Sequence, residues 1–339
     1  MARDAFILAG ERIAPGQRRQ IDVPVARLYT HTPLNIPVEV VHGRRPGPVM
    51  LVCGAIHGDE INGVEIVRRV LRTRSLSRLR GTLIAVPIVN VFGFVQHSRY
   101  LPDRRDLNRC FPGSESGSLG SRVAALFRTE VADLATHIID LHTGAIHRTN
   151  LPQVRAQLDH HAETPAMAQA FGAPVILNAE LREGSLREYA ERRGIPVLTY
   201  EAGEALRFDE WAISAGVRGV LRVMRLLDML PAGRGSRVPA SEIARGSSWA
   251  RAPIDGVLRP RVRMGARVVR GERLGIVAGP FGNQEGDVIA PGDGIVIGMS
   301  NLPLVNEGEA TFHIARFHGI DEAENAVEAW QQARSDGQE

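Results

Sequence analysis

Apolar residues in this chain recur with two different periods, and the alternation between them predicts a fold. Pro48–Cys53 is a continuous apolar run, as expected of a strand buried on both faces, and it breaks at Gly54. Beyond the break, Ile61, Val64, Ile66, Val67 and Val70 return at helical spacing. The rhythm then repeats. Strands are expected over 20–25, 36–41, 82–87, 137–142, 174–177 and 195–201. Helices are expected from Leu119 to about Leu134, over 186–192, and from Val217 to Leu230, where Pro231 stops the last one. Such alternation implies an α/β fold: a mixed, largely parallel sheet covered by helices. A short β-rich segment, residues 1–45, leads into it.

The pattern changes near Pro231-Ala232-Gly233-Arg234-Gly235-Ser236, which reads as a linker. This divides the chain into an α/β unit at 1–235, an all-β unit at 236–318 and an acidic tail at 319–339. Within the second unit, Ala252-Pro253-Ile254-Asp255-Gly256 is echoed by Ala290-Pro291-Gly292-Asp293-Gly294. The paired turns resemble the sandwiched hairpins of biotinyl/lipoyl-type domains. In the tail, Ala323–Ala333 is expected to form a surface helix.

Charge narrows the chemistry. The chain has no lysine, so all 41 basic residues are arginine. That excludes a Schiff-base lysine, a phosphate-loop lysine and a lysine carrying a swinging arm. The formal net charge is only +3 over 339 residues and the arginines are scattered among acids, which does not read as a nucleic-acid footprint. No apolar run is long enough to span a membrane, and the N-terminus lacks a secretory signal pattern. The two cysteines, Cys53 and Cys110, have no framework spacing, so a reduced, cytoplasmic protein is expected.

The candidate chemistry sits where the predicted strands end. His57 and Glu60, three residues apart on a loop entering a helix, project to one side. His142 ends a later strand. Two imidazoles and one carboxylate form a ligand set that holds a catalytic zinc and leaves a position open. The alternative for each residue alone is a surface or structural side chain. Asp140, two residues before His142 on the same face, reads as a partner orienting that ligand or as a buried polar residue. Glu201 ends another strand and is the candidate general base, with Glu204 as its competitor. Asn108 and Arg109 together can grip a substrate carboxylate, the guanidinium giving two parallel donors. The alternative for the arginines here is a surface ion pair, which is the plainer reading of Arg104 in the preceding loop.

Together the stretches Gly54–Glu60, Val86–Phe94, Asp106–Gly113, Asp140–Thr143 and Tyr200–Gly203 resemble the succinylglutamate desuccinylase/aspartoacylase family, deacylases of the zinc carboxypeptidase-like fold. The resemblance implies one zinc per chain on His57, Glu60 and His142, with Glu201 as base and Asn108 and Arg109 as a carboxylate clamp. It also implies an arginine that polarises the scissile carbonyl, matched best by Arg99, with Arg105 as the alternative. Residues 148–155 look like a family substrate loop. The implied activity is hydrolysis of the amide bond of an N-acyl amino acid by metal-activated water. The expected partner is thus a small molecule, with neither nucleic acid nor membrane, and homo-oligomerisation stays open. Two rivals remain. One is a zinc carboxypeptidase or other peptide amidohydrolase on the same site, disfavoured because Tyr189 and Tyr200 are the only candidates for a substrate-covering tyrosine. The other is a non-catalytic binding protein that keeps the scaffold. Cys110 as a nucleophile lacks a histidine nearby in sequence.

Overall fold

A computed structural model of the chain describes residues 3–233, 240–282 and 284–335. The linker expected at 231–236, and with it the boundary at 235/236, falls partly on residues 234–239, outside the described residues. The last four residues of the tail lie outside them too.

The α/β half runs β1 (Phe6–Leu8), β2 (Glu11–Ile13), β3 (Arg18–Arg27), β4 (Pro33–His42), β5 (Arg45–Gly54), α1 (Asn62–Leu71), β6 (Arg80–Val86), α2 (Val91–Val95), α3 (Leu119–Glu130), β7 (His137–Gly144), β8 (Arg148–Ala156), α4 (Thr164–Phe171), β9 (Val175–Asn178), α5 (Leu186–Arg192), β10 (Val197–Glu204) and α6 (Glu210–Leu226). The later part adds β11 (Glu242–Ala244), β12 (Gly246–Arg251), β13 (Gly256–Pro260), β14 (Arg267–Val268), β15 (Arg273–Ala278), β16 (Glu285–Ile289), β17 (Gly294–Ser300), β18 (Leu304–Val305), β19 (Ala310–Arg316) and α7 (Ile320–Ser335).

The main sheet follows the order β12-β19-β17-β8-β10-β7-β5-β6-β4-β3. Its centre, β10-β7-β5-β6, is parallel, and antiparallel strands flank it on both sides. The alternation of side chains along β5 explains its unbroken apolar run. Met50 and Val52 enter the core under α1, α4 and α6, while Leu51 and Cys53 enter the core under α3, α5 and the β1–β2 hairpin. Local chemistry sets the helix starts. Ser118, Ser185 and Asp209 each accept a backbone N–H of the first turn of α3, α5 and α6. Asp209 moves the start of α6 to Glu210, seven residues before the start read from apolar spacing, and the helix ends at Leu226.

Two further expectations are corrected. Residues 148–155 do not form a loop; they are β8, which pairs with β10 on one side and β17 on the other. The tail helix is longer than expected, and it lies at the surface with one stripe docked: Ala323, Val327 and Trp330 are buried, Trp330 against Trp211 of α6, while Asp321, Glu322, Asn325 and Glu328 are on the exposed face. The β-rich later strands build a four-stranded antiparallel sheet, β16-β15-β13-β18, over a core shared with β12, β17 and β19. Those last three strands also extend the main sheet through β17 and β8, with Gly298 opposite Asn150. Material from the C-terminal third is therefore brought beside the strand ends that carry the candidate chemistry.

Candidate metal and substrate site

The parallel strands β5, β7 and β10 all end at one edge of the sheet, where α/β folds open their ligand crevices. The loop after β5 carries His57 and Glu60. It passes so close to α2 that a Cβ on Gly58 would fall 2.0 Å from the Gly93 carbonyl carbon. Only glycine fits there, which holds the loop flat against its neighbour. The loop is also tied to the end of β10. Asn62 Nδ2 donates to the Ala202 carbonyl at 3.2 Å, and Leu206 N donates to the Asp59 carbonyl at 2.8 Å.

Glu60 lies at the centre of the site. Its Oε1 is 2.8 Å from His57 Nδ1, and its Oε2 is 2.8 Å from His142 Nδ1 while accepting Thr143 N at 3.2 Å. The far nitrogen of each ring meets a carboxylate. His57 Nε2 is 3.1 Å from Asp106 Oδ1, and His142 Nε2 is 2.7 Å from Asp140 Oδ2. Burial would depress both imidazoles, but Glu60 with Asp106 outweighs it for His57, and Asp140 with Glu60 for His142, so both rings sit above the ordinary value. Glu60 shows the converse: burial would raise it, yet the two histidines hold it well below the usual carboxylate range. His57, Glu60 and His142 offer ligand atoms that all lie within 4.8 Å of one another. Two imidazole nitrogens and one carboxylate oxygen, with both remote nitrogens fixed by carboxylates, fit a metal such as zinc. Asp140 thus takes the orienting position rather than that of a generic buried acid.

A cavity of about 280 Å³ opens beside these residues and is bordered by Arg99, Asn108, Arg109 and Glu201 as well. Arg99 reaches Glu60 Oε1 at 3.3 Å and Asp106 Oδ2 at 2.9 Å. Arg105 points away, with its side chain 60% exposed and 3.6 Å from Asp103. Asn108 Oδ1 accepts Leu186 N at 2.9 Å, docking this segment on α5, and Arg109 donates to the Asn108 carbonyl. Glu201 is opposite His142 in the β10–β7 register. Its Oε2 accepts Asn150 Nδ2 at 2.9 Å, and its Oε1 is 3.3 Å from Arg155 Nη1. Glu204 is off the cavity. It accepts Asn301 Nδ2 at 2.7 Å and His147 N at 3.0 Å, holding the β7–β8 turn against the C-terminal strands.

Asn150 and Arg155 fall in the 148–155 stretch that the sequence singles out, though without a role for either, and sequence reasoning missed Arg182, Ser185, Arg187 and Trp249. Burial, and then Arg155, lowers Arg187 to about 10. Its guanidinium donates to the Ala179 and Glu180 carbonyls at 3.1 and 2.7 Å. The available signal was Arg148 and Asn150 two apart on what proves to be a strand face. Among the described residues no tyrosine borders the cavity: Tyr200 is buried with its hydroxyl on the Ala212 carbonyl, and the Tyr189 hydroxyl donates to Asp133. Cys110 sits against the Asp106 carbonyl at 3.3 Å, and burial with Asp103 raises its pKa, as befits an inert thiol.

Comparison with known proteins bears on the family and the fold. The model of the succinylglutamate desuccinylase/aspartoacylase catalytic domain matches residues 46–227. An N-alpha-acetyl-L-2,4-diaminobutyric acid deacetylase from Halomonas elongata is 32% identical over 175 residues, 50% of this chain and 51% of that relative. The chain thus spans about half the length of the curated relative it matches. A succinylglutamate desuccinylase/aspartoacylase from Rhodobacter sphaeroides superposes with a TM-score of 0.80 at 25% identity, covering 94% of this chain and 97% of the other. The product-bound ectoine utilization protein EutE from Ruegeria pomeroyi has the same fold, with a TM-score of 0.80 at 23% identity over 93% and 96% of the two chains. No helix among the described residues is long and apolar enough to cross a membrane.

Proposed function

Since the chain belongs to the succinylglutamate desuccinylase/aspartoacylase family, we propose that it hydrolyses the amide bond of a small N-acyl amino acid, with one zinc per chain on His57, Glu60 and His142. The observation that carries this reading is the convergence on one 280 Å³ cavity of that ligand set, the Glu201 carboxylate and a guanidinium wall. A bound zinc supplies Lewis acidity to the scissile carbonyl and to the attacking water.

The chain's own residues do the rest. Asp140 and Asp106 hold the two rings with Nδ1 toward Glu60. Asn150 and Arg155 fix the Glu201 carboxylate at the cavity wall, where it takes the proton of the attacking water and returns it to the leaving nitrogen. Arg99, pinned by Asp106, stands where it stabilises charge growing on the carbonyl oxygen. Arg109 grips the substrate carboxylate, with Asn108 Nδ2 as an added donor. No acyl-enzyme forms, because the reaction adds water directly and yields a carboxylate and an amine. The small cavity and the absence of a tyrosine on its wall favour this over a peptide amidohydrolase.

The test is turnover of a panel of N-acetyl and N-succinyl amino acids by zinc-loaded protein, against short peptides. Release of free amine from the acyl amino acids supports the proposal; cleavage of peptides alone contradicts it.

A further inference from the structure

Part of the arginine wall is not used by the proposed hydrolysis, and one of its members is held in a distinctive way. Arg148 opens β8 opposite Ser300 of β17. Its Nη2 donates to the Ala310 carbonyl at 3.0 Å, and its guanidinium carbon lies 4.7 Å from the centre of the Trp249 ring. His313 stacks on the same ring, centroids 4.2 Å apart and planes within 4°. Both groups lie against the same ring, and Trp249 itself borders the cavity. The stack is anchored by His313 Nε2, 2.7 Å from Ser247 Oγ. Burial, and then Arg155, Arg148 and Arg182, push His313 down to about 3, so the stack carries a single cation, that of Arg148.

The charge on Arg148 has no counter-ion in contact. Among the described residues no carboxylate lies within ion-pair distance of Arg148, Arg109, Arg182 or Arg187. The acids on the cavity wall are already engaged, Glu60 by His57, His142 and Arg99, and Glu201 by Asn150 and Arg155. Acids act on these guanidiniums only from beyond contact, Glu309 on Arg148, Asp106 on Arg109, and Glu191 and Glu201 on Arg187, so four guanidiniums without a contacting carboxylate around a small cavity leave its wall locally positive. Arg148 is also rigid before any ligand arrives, because the indole face and the Ala310 carbonyl have already fixed its rotamer.

We infer that Arg148 is a specificity-determining residue, clamped by Trp249 and Ala310 of the C-terminal strands to receive a second anionic group of the substrate. The inference rests on the proposed N-acyl amino acid substrate, whose first carboxylate goes to Arg109. It gives the C-terminal strands a direct part in selectivity. It also points away from substrates with a cationic side chain, such as an N-acyl diaminobutyrate, which the same guanidiniums repel.

The test reads binding separately from turnover. Zinc-loaded protein is titrated calorimetrically with glutarate and with butyrate, and kcat/KM is compared for N-acetylglutamate and N-acetylglutamine. The parent should favour the member of each pair with the extra carboxylate by about tenfold or more, the scale of one charge-assisted hydrogen bond. Arg148→Gln should shrink that preference by about tenfold. Trp249→Leu, which keeps the charge but frees the side chain, should shrink it partly, and Trp249→Phe should restore most of it. An unchanged preference in Arg148→Gln, or a parent that prefers butyrate and N-acetylglutamine, overturns the inference. Glutarate binding that depends on Arg148 without any hydrolysis would remove the proposed reaction and leave the anion site standing. Hydrolysis with glutarate binding indifferent to Arg148 would do the reverse.

Discussion

The two sides of the cavity are built on opposite electrostatic principles. In the metal corner every charge has a partner: His57 lies between Glu60 and Asp106, and His142 between Glu60 and Asp140. Along the opposite wall Arg109, Arg148, Arg182 and Arg187 have no carboxylate in contact among the described residues. A closed network rigidifies and keeps its ligands aimed at one point, whereas an open array of cations is completed only by a ligand from outside. The corner is thus suited to chemistry common to all substrates, and the wall to choosing among them.

Variants separate the two roles, and the largest effect should come from the corner. His142→Ala should abolish stoichiometric zinc binding and, with it, turnover of every substrate; full zinc content by elemental analysis would remove the ligand assignment. Next, Glu201→Gln should keep zinc and lower kcat by about 10²–10⁴, the usual scale for a general base. Should Glu204→Gln show that loss instead, the structural part assigned to Glu204 by its bonds to Asn301 and His147 is wrong. Asp140→Ala leaves the ligands but frees His142 Nε2, so zinc affinity should fall by about 10–100-fold in a chelator competition.

The wall should show smaller and more selective effects. Arg109→Lys keeps charge but loses the two-point geometry, and should raise KM for an N-acyl amino acid by about tenfold. The corresponding amino amide, lacking the carboxylate, should respond much less; equal responses for acid and amide would take the carboxylate away from Arg109.

Titration sharpens the contrast. In the metal-free protein both site histidines are held above the ordinary value of about 6.5 by their carboxylates. Zinc must then displace protons, so apparent zinc affinity should fall as pH is lowered through that raised range. The metal-free fold should behave oppositely, because the charged rings stabilise it at lower pH and this contribution fades as pH rises through the raised values. A zinc affinity that is flat from pH 8.5 to 6 would contradict the corner's charge network.

The same contrast explains what was legible in the sequence. The corner could be read because each ligand sits in a short motif at the end of an apolar strand run, and the fold follows from those runs. The wall could not. Arg187 reads as an ordinary helix-surface residue until α5 docks on Asn108, and Trp249 arrives only because β12 joins β19 beside β17, a pairing no local pattern specifies. For α7 the helix was legible from the sequence, but the docking of its Ala323, Val327 and Trp330 stripe on α6 was not, because no local pattern names the partner.

The account stands on metal-dependent hydrolysis in this cavity, and a zinc titration of chelator-stripped protein tests it most directly, with bound metal and amine release from an N-acetyl amino acid followed together. Activity should start from baseline, rise in proportion to bound zinc and saturate at one equivalent per chain. Hydrolysis that is complete without metal, or one equivalent of zinc bound with no gain in hydrolysis, would contradict the account.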